Sequence, residues 1–130
     1  MPAPIALQLY SVREALAQDF AGVIKKIAGM GYAGVETAGF PGTAPQAASQ
    51  MFKDLGLAVV AAHAPLPLGE QRQPVIETMH AIHCPRLVCA YQPAENFASV
   101  DGIQQMCKSG ARGPSLRTRA AGLTPAACAQ

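Results

Sequence analysis

Tryptophan is absent from this 130-residue sequence, and three tyrosines with four phenylalanines bring aromatics to only 5%. Charge is scarce too, at 14% of residues, and nearly balanced at a net +2. A nucleic-acid binder normally carries a basic face interleaved with stacking aromatics, and neither is evident. Apolar runs stop well short of a bilayer span, and the first residues lack a basic stretch followed by an apolar core. Nucleic acid and membrane are therefore not expected partners, and cytoplasm is the expected location. Cys84, Cys89, Cys107 and Cys128 show no CxxC spacing, which fits thiols in a reducing compartment. No glycine-rich phosphate loop follows the first apolar run, which leads into Tyr10-Ser11-Val12-Arg13. That lack disfavours a nucleotide-binding sheet.

What is present is a period. Half of the residues are hydrophobic, so the chain can fold, and its length suits one domain. Four runs of small or β-branched residues are centred near Leu7, Val35, Val60 and Val88, about 25–28 residues apart. A helical pattern fills each gap. Ile5 to Tyr10 reads as the first strand and Ser11 to Gln18 as a polar connection. Asp19 can cap a helix with Phe20, Val23, Ile24, Ile27 and Ala28 on one face, stopped by Gly31. Gly34 to Ala38 reads as the second strand. Thr43-Ala44-Pro45-Gln46 resembles a capping box, opening a helix with Ala48, Met51, Phe52 and Leu55 inward and Gly56 at its end. The near-continuous apolar run Leu57 to Ala62 predicts a parallel strand covered on both faces. Pro74 opens a third helix, with Val75, Met79 and Ile82 inward, and Leu87 to Tyr91 is the fourth strand. Ser99 caps a last helix carrying Val100, Ile103, Met106 and Cys107.

From Gly110 the character changes. Asp101 is the last acid, Arg112, Arg117 and Arg119 follow, and no apolar period is left. A further strand is due near residues 112–118, and nothing there resembles one. Residues 110–130 are expected to lie outside the fold, as a disordered tail or as translation in a shifted frame. Four strand–helix units with parallel-type strands imply half of a (β/α)8 barrel or a small doubly wound sheet.

Three stretches carry a resemblance: Ile5 through Arg13, Ile27-Ala28-Gly29-Met30-Gly31-Tyr32-Ala33-Gly34-Val35-Glu36, and Ala61-Ala62-His63. Together they resemble the amino-terminal half of the xylose-isomerase-like sugar phosphate isomerase/epimerase family, over residues 5–109. The resemblance implies an α/β fold of the TIM-barrel family, here a truncated half-barrel of about four β/α units. It also implies a divalent metal, manganese, magnesium or cobalt, in intact relatives, with metal-assisted proton transfer next to a sugar carbonyl. The family's metal ligands and proton-moving glutamates come mainly from later strands, which have no counterpart here. The expectation is therefore a chain that is inactive alone and holds no metal stably, with no catalytic or metal-ligating residue assigned.

The candidate substrate contacts are Glu36, His63, Gln8 and Tyr10. Glu36 ends a strand, where a barrel puts its functional face; the plainer alternative is an ion pair with Arg13. His63 ends the next strand, within reach of Glu36, and suits a hydrogen bond to a sugar hydroxyl or a structural role in the proline-rich loop. Gln8 and Tyr10 would point the same way from the first strand. His80, His83 and Cys84 have metal-like spacing, but they end a helix on the opposite face and read as ordinary. Cys89 reads as a small core residue. Open sheet edges predict self-association, and a non-catalytic half-barrel that self-associates or binds a partner is the alternative function. Cleavage of abasic DNA, an activity of a related zinc-dependent barrel, ranks last because only His63 is suitably placed.

Overall fold

The computed structural model describes residues 3–89 and 92–111. Four parallel strands form one sheet in the order β1-β2-β3-β4: Ala6–Gln8, Gly34–Thr37, Ala58–His63 and Leu87–Val88. Sequential parallel neighbours joined by helices are the signature of a β/α barrel wall, since each crossover returns the chain to the same end of the sheet. Among the described residues five helices accompany them: α1 (Arg13–Gln18), α2 (Phe20–Gly29), α3 (Pro45–Asp54), α4 (Arg72–Ala81) and α5 (Val100–Ala111).

The helix signals act largely as read. Asp19 caps α2, its Oδ1 accepting from the Gly22 N–H at 2.8 Å. Gly31 and Gly56 follow α2 and α3 with φ of 88° and 70°, a left-handed conformation that costs glycine nothing. The Gly102 N–H bonds Ser99 Oγ at 3.1 Å, so Ser99 caps α5. Burial of one stripe per helix then builds the core. Phe20, Ile24 and Ile27 of α2 meet Ala48 and Phe52 of α3 over Val35 and Leu57. The Phe20 and Phe52 rings lie 6.2 Å apart, tilted by 50°. A second cluster gathers Val75, Met79 and Ile82 around Ala62 and Cys84.

Several boundaries differ from the sequence reading. The first strand ends at Gln8, because Leu9–Val12 winds into a 3-10 turn that drives Leu9 into the core. The supposed polar connection is therefore this turn plus α1. Thr43 makes no cap: Ala44 occupies that position without a side-chain bond, and Pro45 supplies the first helical residue. Pro74 does not open α4, which starts at Arg72 after a 3-10 turn over Gly69–Gln71. Proline is harmless there, since a helix's first N–H groups have no intrahelical acceptor. The fourth strand is shorter than expected, and its residues 90 and 91 lie outside the described ones. Helix α5 runs one residue past Gly110, and the tail from residue 112 onward also lies outside them.

Candidate functional site

Gln8, Glu36 and His63 stand at or near the carboxyl ends of three adjacent strands. Strand pairing puts Gln8 beside Glu36 in register. Between β2 and β3 the register slips: Val35 pairs with Val59, but Glu36 pairs with Ala61. One extra residue, Val60, is thereby accommodated in β3. Because side chains alternate with period two, that single insertion decides the face on which His63 emerges. Without it His63 would share the helix-facing side of Val59. With it, Ala61 and His63 share the side of Glu36, and Ala62 drops into the helix-covered core.

The three side chains then meet at one atom. Gln8 Nε2 donates to Glu36 Oε1 at 2.9 Å, and His63 Nε2 lies 2.5 Å from the same oxygen. Gln8 Nε2 is also 3.3 Å from His63 Nε2, but an amide nitrogen only donates. A hydrogen must lie between His63 Nε2 and Glu36 Oε1, so the amide and the imidazole converge on one carboxylate oxygen. Among the described residues Glu36 Oε2 has no partner, which leaves it as an acceptor for a ligand hydroxyl. The side chains of His63 and Glu36 keep 20% and 25% of their exposure, enough for a ligand to reach them. The alternative of a Glu36–Arg13 pair is not what forms. Arg13 instead donates to the Tyr10 carbonyl at 3.1 Å, stacks 4.4 Å from its ring centroid and approaches Glu14 at 3.6 Å.

Tyr10 does not extend the Gln8 face of a strand, because it belongs to the 3-10 turn and is 55% exposed. It still reaches the mouth from the rim. A cavity of about 460 Å³ is walled by Tyr10, His63, Cys89 and Gln92, with Ala38 and Leu66 among its apolar lining. Cys89 is thus half-buried in the cavity wall rather than a simple core residue. Gln92, which the sequence did not single out, donates from Nε2 to Cys89 Sγ at 2.9 Å. A lone glutamine after a short strand carries no spacing that would have marked it.

His80 and His83 end up exposed at the carboxyl end of α4, where they line a groove of about 570 Å³ with Lys53 and Leu57. Helix α4 leads back to the start of β4, so this groove is at the opposite end of the sheet from Glu36. Cys84 is buried nearby and donates to the Arg86 carbonyl at 3.4 Å; burial pushes its thiol pKa up.

No family model and no curated protein matches this sequence. Solved structures do. A sugar phosphate isomerase/epimerase from Parabacteroides distasonis ATCC 8503 is similar over 85% of this chain and 51% of its own, with TM-score 0.59 and 19% identity. A second from the same organism covers 82% and 48%, with TM-score 0.53 and 18% identity. The chain shares its fold with about half of each of these two barrels. The expected α/β architecture of TIM-barrel type is therefore the one found, and the chain spans about half the length of these barrel proteins.

Such a barrel was expected to use a divalent metal, and the residues present do not fit one. Among the described residues, no group of three or more His, Cys, Asp or Glu side chains could hold an ion. Glu36 and His63 satisfy each other, and Gln8 occupies the same carboxylate oxygen, so a hard cation would find one free carboxylate oxygen. Among the described residues, no helix is long and apolar enough to cross a membrane.

Proposed function

We propose that residues 5–109 are the amino-terminal, substrate-binding half of a sugar isomerase/epimerase-type barrel. In this reading the chain binds a ketose or related sugar at the corner made by Gln8, Glu36 and His63, with Tyr10 at the rim. It does not turn that sugar over by itself. The observation that carries the reading is the convergence of an amide and an imidazole on one carboxylate at the barrel mouth. An amide, an imidazole and a carboxylate gathered at one corner suit hydroxyl recognition, because together they offer both donors and acceptors to an alcohol. Substrate is held by Glu36 Oε2 as acceptor, while Gln8 and His63 fix that carboxylate's orientation. The metal and the proton-moving groups lie outside this half, and the chain alone binds neither manganese, magnesium nor cobalt firmly. In this reading the protein is cytoplasmic, and the encoding DNA past the Ser109 codon would reveal whether the sequence that follows is out of frame.

The test is binding of D-fructose by saturation-transfer NMR, with a ketose-epimerisation assay in added manganese. Binding that Glu36→Gln abolishes, without turnover, is the expected result. Metal-dependent turnover by the isolated chain would overturn the inactive-half reading, and absence of sugar binding would overturn the site.

A second reading has its own support. Strands β1 and β4 are sheet edges, and Phe97, Val100 and Ile103 stand exposed beyond β4. Unpaired edge groups and bare apolar side chains favour association, so a non-catalytic half-barrel that self-associates or binds a partner is the alternative.

A further inference from the structure

The cavity at the mouth has a second polar wall, and the fold holds it in place through a chain of contacts starting at α5. A Cβ at Gly102 would come within 2.7 Å of the Asn96 carbonyl oxygen, so glycine alone lets α5 approach the 3-10 turn Ala94–Phe97 this closely. Asn96, anchored there, donates from Nδ2 to Gln92 Oε1 at 3.3 Å. Gln92 in turn donates from Nε2 to Cys89 Sγ at 2.9 Å. An Asn donor on its oxygen and a sulfur acceptor on its nitrogen fix which way the Gln92 amide faces. One of the two Nε2 hydrogens is used by Cys89; the other meets no acceptor among the described residues and faces the cavity that Gln92 shares with His63 and Tyr10.

We propose that Gln92 is a ligand-contacting residue of this site, donating to a hydroxyl or carbonyl oxygen on the far side of the molecule from the Glu36–His63 corner. Asn96 is its positioning residue. The inference rests on the sugar-binding reading above and adds to it. The ligand class is a polyhydroxylated molecule long enough to reach from the Glu36–His63 corner, which borders the 460 Å³ cavity at His63, across that cavity to Gln92. A ligand with oxygen at one end only would engage Glu36 and leave Gln92 idle.

The experiment compares the affinity of the full chain for D-fructose and for its monodeoxy analogues, using wild type, Gln92→Leu, Asn96→Ala and Glu36→Gln. Gln92→Leu is expected to weaken fructose binding about tenfold, the usual scale for losing one hydrogen bond to a ligand. At least one deoxy analogue, lacking the oxygen that Gln92 contacts, is expected to bind wild type and Gln92→Leu alike. Asn96→Ala should show a smaller loss with the same analogue pattern. A uniform loss across fructose and every analogue would mean a structural role and overturn the proposal. Wild-type affinity in Gln92→Leu, with binding lost in Glu36→Gln, would overturn it while leaving the sugar site standing. No fructose binding by wild type would remove both.

Discussion

Thr37 is the next residue after Glu36, and the two show how one strand serves two environments. Glu36 faces the mouth with an amide and an imidazole on it; Thr37 faces the helices, is 1% exposed, and its Oγ1 has no partner among the described residues. A buried hydroxyl without a partner loses its water and gains nothing in exchange. Thr37→Val keeps the shape and removes that group, so it is expected to stabilise the fold by about 1–2 kcal/mol, read as a higher urea midpoint. Cys84 offers a test through pH. Burial raises its thiol pKa, Glu36's charge adds slightly, and the Arg86 carbonyl bond and charge oppose the shift. A folded thiol that keeps its proton longer than the unfolded one contributes stability that is complete below the ordinary value of 9.0. That contribution is lost as pH rises through the higher folded pKa. Wild type should therefore lose more stability than Cys84→Ala between pH 8 and pH 10.5, measured by denaturant melts at both.

At the scale of the element, β3 is the decisive strand. Deleting Val60 would only smooth the bulge, because Ala61 stays opposite Glu36 and His63 keeps its side. Deleting Ala62, beyond the bulge, instead moves His63 one place and turns it toward the core formed by Val75 and Met79. An imidazole forced among these side chains without a partner costs about 2–3 kcal/mol. The Ala62 deletion is expected to keep helical circular dichroism, lower the melting temperature and abolish sugar binding. Helix α3 gives the contrasting case. Phe52 is 1% exposed and packs on Phe20, so Phe52→Ala should cost about 3–5 kcal/mol without a specific effect on the mouth.

Across the whole molecule, the four units make an arc of barrel wall with two edges, and the surface near each edge is apolar. Ile5 and Tyr10 are exposed on the β1 side, Phe97, Val100 and Ile103 on the β4 side. If these faces drive association, replacing Val100 and Ile103 with lysine should shift the protein toward monomer in light scattering coupled to size exclusion. An unchanged, monodisperse monomer before and after substitution would contradict self-association.

Much of this was legible in the residues themselves. The spacing of Leu7, Val35, Val60 and Val88, the stripe Phe20-Ile24-Ile27, and the Asp19, Ser99, Gly31 and Gly56 signals are local, so the chain states them directly. The placement of Glu36 and His63 at strand ends followed from the same period. Local pattern could not say that Tyr10 leaves the strand, because burying Leu9 outweighs continued pairing there. Nor could it mark Gln92, whose contacts with Cys89 and Asn96 come from residues brought together across two turns. Above all, the sequence determined which strands exist, while the tertiary register determined which way His63 points. That facing depends on how β3 lies against β2, and one bulged residue reverses it.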